Sequence, residues 1–363
     1  MTKRITLPLK DHSYSILIGH DMLREFPRYI KGLGLGKDAV IISHPVIERL
    51  HGVKLAAGLR KAGYSVKVFN VPEGESSKSA AHALRLIESI AAYDVDRKVF
   101  IIALGGGVIG DLAGFVAATY KRGVPYVQVP TTFLAQVDSA IGGKTAIDLK
   151  YGKNLVGAFY QPKLVVSDTK VLKTLSRRQV RNALAEVVKY GVIADAALFV
   201  YLERNHKKAL KGDPKVLAHI VERCSRIKAK AVAMDERDTR GVRVMLNFGH
   251  TVGHAIEAAG RYGQYQHGEA VALGMRVAAA ISHALKLLKA VDAARIDQLL
   301  TDIGLPQKID RVKIRDIVDL MRHDKKFTAG RNRFVLATGI GRVKVVEGVA
   351  MDVITTAIRN YLN

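Results

Sequence analysis

Cysteine is almost absent from this 363-residue sequence, in which Cys224 is the only one. A single thiol cannot form an internal disulfide, so a disulfide framework is excluded, and a cysteine-rich zinc site is excluded with it. Any metal site must therefore use histidine, aspartate or glutamate side chains.

Long hydrophobic runs are also missing. No apolar run approaches the roughly 20 residues that a membrane helix needs, and the opening segment MTKRITLPLK lacks the apolar stretch of a secretory signal. Hydrophobic residues make up 48% of the chain and charged residues 25%, which is typical of a globular protein. We expect a soluble, cytoplasmic protein with no membrane partner, long enough for two domains.

Acidic residues are few relative to basic ones, 33 against 57, which gives a formal net charge of +24. A positive field attracts anionic partners such as nucleic acid, membrane surfaces or phosphorylated metabolites. The basic residues are scattered, as in 204–215 and 311–316, and form no compact block interleaved with aromatic residues. Scattered basic residues are typical of a solvated surface, so dedicated nucleic-acid binding is disfavoured.

The first half of the sequence alternates between apolar runs of strand length and segments with helical periodicity. This alternation predicts a parallel sheet covered by helices, with an antiparallel hairpin before it. The predicted hairpin strands are 4–10 and 14–18, the predicted sheet strands are 39–43, 65–71, 98–104 and 126–130, and the predicted helices are 48–63 and 78–93.

Beyond about residue 176 strand signals become rare and helical periodicity dominates. The sequence therefore predicts an α/β domain over 1–176 and a helical domain over 177–363, with the active site in the cleft between them. Only 333–349 returns to strand character, where Gly339 and Gly341 mark a hairpin turn. The predicted helices are 178–203, 214–234, 247–260, 268–289 and 291–303.

A glycine-rich turn joins a predicted strand to a helix in ALGGGVIGDLAG (103–114). Glycines there let backbone amides approach a pyrophosphate, and the helix N-terminus supplies partial positive charge. A plain tight turn between strand and helix is the alternative interpretation. Asp111 would then be an ordinary acidic residue in the first turn of a helix.

The segment 129–162 follows no clean period, and irregularity of this density is typical of a binding loop. Lys144 or Lys153 alone would be interpreted as a surface charge. Neighbouring hydroxyls, an amide and a carboxylate weaken that interpretation, because a phosphorylated nucleotide or sugar requires such groups beside cations. These neighbours are Thr131, Thr132, Asp138 and Asn154.

An acidic and a basic residue, Glu186 and Lys189, stand three apart in the otherwise apolar segment ALAEVVKYG (183–191). A surface ion pair worth about 0.2–0.5 kcal/mol is one interpretation. The apolar neighbours instead predict a buried helix, and a buried carboxylate needs a cation or a metal nearby to stay charged.

Three histidines, His250, His254 and His267, fall within 243–275. His250 and His254 are four residues apart and share a helix face, so spacing makes them the first candidate pair of metal ligands, as in the HExxH motif. One buried histidine beside exposed ones is the alternative. Since no cysteine competes, two imidazoles and one carboxylate with an open position would form a catalytic metal site.

Six motifs together resemble those of the 3-dehydroquinate synthase family, in its order and at similar separations. They are GGGVIGD, VPTTFLAQVDSAIGGKT, ALAEVVKYG, NFGHTVGHAIE, HGEAVALGM and HDKKFTAG. The resemblance extends over nearly the whole chain. The resemblance implies an N-terminal Rossmann-like NAD-binding domain, an all-α C-terminal domain that binds zinc or cobalt, and a homodimer.

The resemblance also implies roles for individual residues. The metal ligands fall on Glu186, His250 and His267, which turns His254 from a ligand into a substrate contact. The implied NAD contacts are Glu73, Gly74, Glu75, Ser76, Ser77, Lys78, Gly107, Val108, Ile109, Gly110, Asp111, Thr131, Thr132, Lys144, Lys153, Val171, Leu172, Lys173 and Thr174. The implied substrate and catalytic residues are Arg122, Asp138, Lys144, Asn154, Lys189, Lys230, Arg243, Asn247, His254 and one lysine of the Lys325–Lys326 pair, with Lys326 preferred.

Two further positions concern the dimer interface and the adenosine ribose of NAD. Arg122 matches a residue that the family lends across its dimer interface to the substrate phosphate. Many members also end their second strand with an Asp that receives the adenosine ribose, whereas this chain has Ser43, His44 and Pro45 there. The resemblance therefore gives no ribose contact at that strand end.

The reaction implied by the resemblance is carbon–oxygen lyase chemistry of the shikimate pathway. NAD removes a hydride from 3-deoxy-D-arabino-heptulosonate 7-phosphate, phosphate leaves, the hydride returns, and an aldol closure gives 3-dehydroquinate. The alternatives are another sugar phosphate cyclase, such as a 2-deoxy-scyllo-inosose synthase, and a metal-dependent alcohol or glycerol dehydrogenase. Arg243 and the Lys325–Lys326 pair favour an acid substrate, and the lysine-rich segment 138–154 favours a phosphorylated one.

Overall fold

The computed structural model describes residues 2–261, 263–322 and 332–363. The chain forms two compact units, Met1–Leu175 with Leu217–Arg237, and Ser176–Val216 with Asp238–Asn363. The segment Leu217–Arg237 lies inside the range predicted for the second domain but groups with the first unit. Its side chains explain this, because they pair with residues of the first unit, as Lys228 does with Asp138.

The first unit is built on a parallel sheet. Its strands are β1 (Lys3–Leu7), β2 (Tyr14–Gly19), β3 (Asp38–Ser43), β4 (Ser65–Asn70), β5 (Val99–Gly105), β6 (Tyr126–Pro130), β7 (Lys144–Leu149), β8 (Gly152–Phe159) and β9 (Leu164–Asp168). Seven of them form one sheet in the order β1-β2-β9-β6-β5-β3-β4, in which β1 pairs antiparallel with β2 and the remaining pairs are parallel. The predicted parallel sheet and opening hairpin are confirmed.

Strands in the middle of the sheet are buried on both faces. Every residue of β5 and β6 is buried, because their apolar side chains fill both faces of the sheet, as parallel strands covered by helices require. Strand β9 was not predicted, although it is also fully buried and lies between β2 and β6. Its apolar run, Leu164 to Val166, is too short to stand out from its surroundings.

Helices and a second hairpin complete the first unit. The irregular segment 129–162 contains a single π-helical turn, Ala135–Ser139, and the antiparallel hairpin β7–β8. Exposed apolar residues such as Leu155 and Phe159 explain why β8 lacks the alternating pattern of a half-buried strand. The helices are α1 (Phe26–Ile30), α2 (Pro45–Ile47), α3 (Val53–Lys61), α4 (Ala80–Tyr93) and α5 (Gly107–Thr119).

The rest of the chain is helical apart from one hairpin in the part that the structure describes. The helices are α6 (Arg177–Ala194), α7 (Ala196–Leu210), α8 (Pro214–Met234), α9 (His250–Ala259), α10 (His267–Ala284), α11 (Ala290–Ile303), α12 (Ile314–Arg322) and α13 (Met351–Arg359), and the hairpin strands are β10 (Arg333–Gly339) and β11 (Arg342–Glu347). The predicted helical character and the predicted hairpin over 333–349 are confirmed. No helix among the described residues is both long enough and apolar enough to cross a membrane.

The predicted helix 178–203 is divided in two at Asp195. The carboxylate of Asp195 accepts a hydrogen bond from the Leu198 backbone N–H at 3.0 Å and so caps the N-terminus of α7. Helix α6 begins with a reciprocal pair of capping bonds between Ser176 and Gln179. Helical periodicity continues across Asp195, and for that reason the sequence pattern did not reveal the break.

Close glycine packing fixes α9 against α10. A Cβ atom at Gly274 of α10 would overlap the carbonyl oxygen of Gly249, and one at Gly253 of α9 would lie 3.0 Å from the carbonyl oxygen of Ala270. Gly249, with φ of 79°, supplies the left-handed residue immediately before α9. These contacts hold the two helices, each of which begins with a histidine, at short range.

We predict that Gly274→Ala lowers the free energy of unfolding by at least about 2 kcal/mol, because the added methyl group meets backbone that no rotamer change can move. The measurement is thermal or urea unfolding in a chelator, so that any metal loss does not contribute. Gly58→Ala is the matched control: Gly58 lies in helix α3 with nothing within 4 Å of an added Cβ, and its substitution should be neutral or slightly stabilising. An unchanged midpoint for Gly274→Ala would contradict the packing described here.

Candidate active site

Three potential metal ligands converge in the second unit. Glu186 lies in α6, His250 is the first residue of α9, and His267 is the first residue of α10. Their ligand atoms all lie within 4.8 Å of one another. Among the described residues this is the one group of three or more His, Cys, Asp or Glu side chains arranged closely enough to hold an ion.

Hydrogen bonds orient both imidazole rings toward Glu186. Nδ1 of His250 lies 3.1 Å from the carbonyl oxygen of Phe248, and Nδ1 of His267 lies 3.3 Å from a carboxylate oxygen of Glu257. Because a carbonyl or carboxylate oxygen can only accept, each Nδ1 carries the proton. The two Nε2 atoms, each 3.3 Å from Oε1 of Glu186, therefore face a common point.

Glu186 is a charged group without exposure to solvent. Its relative exposure is 0%, and the Lys189 ammonium and the imidazoles of His250 and His267 lie against its carboxylate. Burial alone would raise the pKa of Glu186, but the ammonium of Lys189 and the imidazoles of His250 and His267 lower it well below its usual range. The carboxylate is thus held in the charged form that metal binding requires.

The two imidazoles differ in their electrostatic surroundings. Burial lowers the pKa of His250, which keeps its Nε2 lone pair available for a ligand. Burial also opposes the charged form of His267, but the carboxylates of Glu186 and Glu257 outweigh it and raise the pKa of His267 to about 10. The carboxylates of Glu257 and Glu186 lie against Nδ1 and Nε2 of the His267 ring, and they favour positive charge there, either a proton on the ring or a divalent cation at Nε2. The donor set of one carboxylate and two imidazoles suits zinc or a similar ion.

Lys189 and His254 lie beside this group. Lys189 is 2% exposed and forms an ion pair with Glu186. The ring of His254 lies 5.1 Å from the ring of His250 and 5.9 Å from that of His267, but His254 is exposed and is not part of the ligand group. The pair His250 and His254 that helical spacing favoured is therefore not the grouping found, since α6 and α10 bring Glu186 and His267 closer to the shared point.

Arg243 and Asn247 lie on the segment that leads into α9. Both belong to the 3-10 helix Val242–Asn247, and Arg243 is buried. Lys325 and Lys326, the candidates for a second cation toward the substrate carboxylate, lie outside the described residues.

One edge of the parallel sheet gathers the residues implied in NAD binding. Because parallel strands end at the same edge, the loops after β4, β5, β6 and β9 meet there. The implied NAD contacts other than Lys144 and Lys153 follow these strands directly, in 73–78, in the first turns of α5 (107–111), in 131–132 and in 171–174. Thr131 Oγ1 at this edge is buried and has no hydrogen-bond partner in the described chain, as expected of a group that awaits a ligand.

A polar network borders the glycine turn. The ammonium of Lys78 contacts Asp111 at 2.5 Å and also bonds the side chain of Asn154. Burial raises the pKa of Asp111 to about 6, although Lys78 opposes this shift. Lys153 lies 3.9 Å from Glu75, on the loop that precedes α4. Four of the implied contacts are thus drawn together by charge pairs.

The end of β3, for which the resemblance gives no ribose contact, carries the hydrogen-bonded side chain of Ser43. Ser43 is buried and donates a hydrogen bond to the carbonyl oxygen of Leu104 at 2.8 Å. Its neighbour His44 is half-buried, and burial lowers the pKa of this imidazole.

The structure distinguishes two lysines of α8. Lys228 is buried and its ammonium contacts Asp138 at 2.5 Å, whereas Lys230, the residue implied by the resemblance, is exposed. A signal for Lys228 existed in the sequence, because it continues the buried stripe formed by Leu217, Val221 and Cys224 at helical spacing.

Arg122 and Lys144 are both exposed. Arg122 has a φ of 62° and follows Lys121 with a φ of 48°, so this arginine is carried on an unusual left-handed turn. Lys144 begins β7. Neither side chain is covered by the described part of its own chain.

The chain is similar in sequence to proteins of one enzyme family. Two family models match the chain, described as 3-dehydroquinate synthase N-terminal over residues 68–182 and 3-dehydroquinate synthase C-terminal over residues 183–327. A 3-dehydroquinate synthase of Desulforamulus reducens is 44% identical over 346 residues, which cover 95% of this chain and 96% of that protein.

Two solved structures share the fold. A 2-deoxy-scyllo-inosose synthase complexed with carbaglucose-6-phosphate, NAD+ and Co2+ is 29% identical with a TM-score of 0.90, and the match covers 100% of both chains. A 2-epi-5-epi-valiolone synthase from Streptomyces hygroscopicus with NAD+ and Zn2+ bound is 25% identical with a TM-score of 0.88, and the match covers 98% of both chains. Since the two family models together span most of the sequence, the chain belongs to the 3-dehydroquinate synthase family.

Proposed function

We propose that this protein converts 3-deoxy-D-arabino-heptulosonate 7-phosphate into 3-dehydroquinate and phosphate, with NAD and a divalent metal ion as cofactors. The observation that carries the proposal is the convergence of Glu186, His250 and His267 within 4.8 Å, in a chain of this family. When bound, NAD would take up and return a hydride at a ring carbon, and zinc or cobalt would act there as a Lewis acid.

Residues of the second unit would bind the metal and the substrate carboxylate. Glu186, His250 and His267 would hold the ion through one carboxylate oxygen and two Nε2 atoms, and Lys189 would balance the charge of Glu186. The buried guanidinium of Arg243 suits a carboxylate, because a fork of donors can bind both of its oxygens. This feature favours an acid substrate over the sugar phosphates that lack a carboxylate. Asn247 and His254 would add polar contacts to the substrate.

Residues of the first unit would bind NAD and the substrate phosphate. The glycine turn and the edge of the parallel sheet would receive the dinucleotide, with Thr131 as a hydrogen-bonding group. Lys144 and Asn154 would contact phosphate. Asp138 would act in substrate binding with Lys228 as its cationic partner. We assign to Lys228 the substrate role that the resemblance implied for Lys230, because Lys228 makes this contact.

We further propose a homodimer in which Arg122 of one protomer contacts the substrate phosphate of its partner. The exposure of Arg122 and its left-handed backbone support this role, because a strained conformation that presents a charged side chain to solvent is typical of functional residues.

His250→Ala should lose the metal. We expect about one zinc per chain in the native protein and less than roughly 0.2 in the variant after desalting, because two ligands hold zinc far less tightly than three. Zinc is measured by mass spectrometry of the desalted protein. His283→Ala is the matched control, since His283 is an exposed histidine of α10 and should keep the full zinc content. Full zinc content in His250→Ala would refute the metal site.

NAD should be recycled during turnover. With NAD at about one hundredth of the substrate concentration, we expect complete release of phosphate from 3-deoxy-D-arabino-heptulosonate 7-phosphate and no net NADH, because the hydride returns to the product. Phosphate and absorbance at 340 nm are followed together. Steady accumulation of NADH would indicate a dehydrogenase instead.

A kcat/KM for glucose 6-phosphate within about tenfold of that for the sugar acid would contradict recognition of a carboxylate.

The two lysines of α8 should differ sharply. Lys228→Met should lower kcat/KM at least about 100-fold, because it leaves the Asp138 carboxylate without its buried cation. Lys230→Met should change kcat/KM by less than about threefold, because an exposed lysine contributes little to a fixed geometry. Steady-state kinetics and a melting curve for each variant provide the comparison. The reverse order of effects would restore Lys230 as the functional residue.

A further inference from the structure

One face of α9 carries two further polar side chains beside His250. His250, His254 and Glu257 are spaced i, i+4 and i+7, so they form a single stripe along the helix. The resemblance implies roles for His250 and His254, and Glu257 is the last residue of the same motif, NFGHTVGHAIE. Glu257 has been given no role, although it is 8% exposed and a buried carboxylate is costly unless a partner compensates it.

His267 is one partner of Glu257. A carboxylate oxygen of Glu257 lies 3.3 Å from Nδ1 of His267, and the opposite ring nitrogen, Nε2, lies 3.3 Å from Oε1 of Glu186. The backbone around His267 is already held, because Gln266 and Glu269 form reciprocal capping bonds at the start of α10. The remaining freedom of His267 is rotation of its side chain, and the bond to Glu257 restricts that rotation.

The two imidazoles are oriented by different kinds of acceptor. His250 donates to the backbone carbonyl of Phe248, which every residue type would supply. His267 depends on a side chain. A carboxylate acceptor also makes the imidazole a stronger donor toward a cation than a carbonyl does, because it draws the Nδ1 proton more strongly.

We propose that Glu257 is a positioning residue that holds the His267 ring with Nε2 toward the ligand group and so strengthens metal binding. The inference rests on the proposed metal site of Glu186, His250 and His267. Glu257 acts through His267 and does not itself belong to the group of ligands.

Two substitutions separate the hydrogen bond from simple filling of space. Glu257→Met keeps the approximate volume and removes the acceptor, whereas Glu257→Gln keeps an oxygen that can accept from Nδ1. If Glu257 positions His267, zinc affinity should fall about 10–100-fold in Glu257→Met and stay within roughly fivefold of the native value in Glu257→Gln. If Glu257 only fills space, both variants should bind zinc as the native protein does.

Zinc affinity is measured on the full-length protein by competition with a chromophoric chelator, and the visible spectrum of the cobalt form reports the ligand geometry directly. Glu203→Met is the matched control, because Glu203 also forms an ion pair in the second unit, with Arg295, and takes no part in the ligand group. Its zinc affinity and cobalt spectrum should equal those of the native protein. A melting curve in chelator verifies that each variant folds without metal.

Each result decides the inference. A lowered affinity and an altered cobalt spectrum in Glu257→Met, together with near-native values in Glu257→Gln, would support it. Native affinity in a folded Glu257→Met, or equal losses in both variants, would overturn it while leaving the metal site intact. Absence of zinc binding in the native protein would overturn the metal site itself, and the inference with it.

Discussion

The second unit depends on keeping one charged carboxylate inside a packed helix. Eleven consecutive residues of α6, from Ala183 to Ile193, are buried, and Glu186 lies among them. An isolated ionised carboxylate in such surroundings would be strongly destabilising. The ammonium of Lys189 and the imidazoles of His250 and His267 compensate it, so α6, α9 and α10 must pack in one arrangement. The close glycine contacts between α9 and α10 provide that rigidity, and a metal site on rigid helices is held more accurately than one on loops.

In the first unit the corresponding constraint is strand direction. Six strands of the sheet run parallel, so loops separated by up to about a hundred residues in sequence end at one edge. A glycine turn, the buried hydroxyl of Thr131 and paired charges lie at this edge. A dinucleotide requires groups of these kinds. The basic loops are held in place by carboxylates, as Lys78 is by Asp111.

Much of this could be predicted from the sequence, because strands buried on both faces and long amphipathic helices have clear periodic patterns. Strand β9 and the break at Asp195 could not, since a short apolar run and a polar helix cap are weak local signals. Helical spacing alone paired His250 with His254, because it cannot show which distant helices approach. Family resemblance supplied Glu186 and His267 but placed the α8 lysine at Lys230, where the buried stripe indicates Lys228. Glu257 was detectable at i+7 from His250, yet only packing shows that it faces His267.

The most direct measurement is anomalous diffraction at the zinc edge from crystals of the native protein grown with zinc. The account predicts one strong peak per chain, about 2.0–2.2 Å from a carboxylate oxygen of Glu186 and from Nε2 of His250 and of His267. A peak bound by His254 in place of His267, or the absence of a peak at this group, would contradict it.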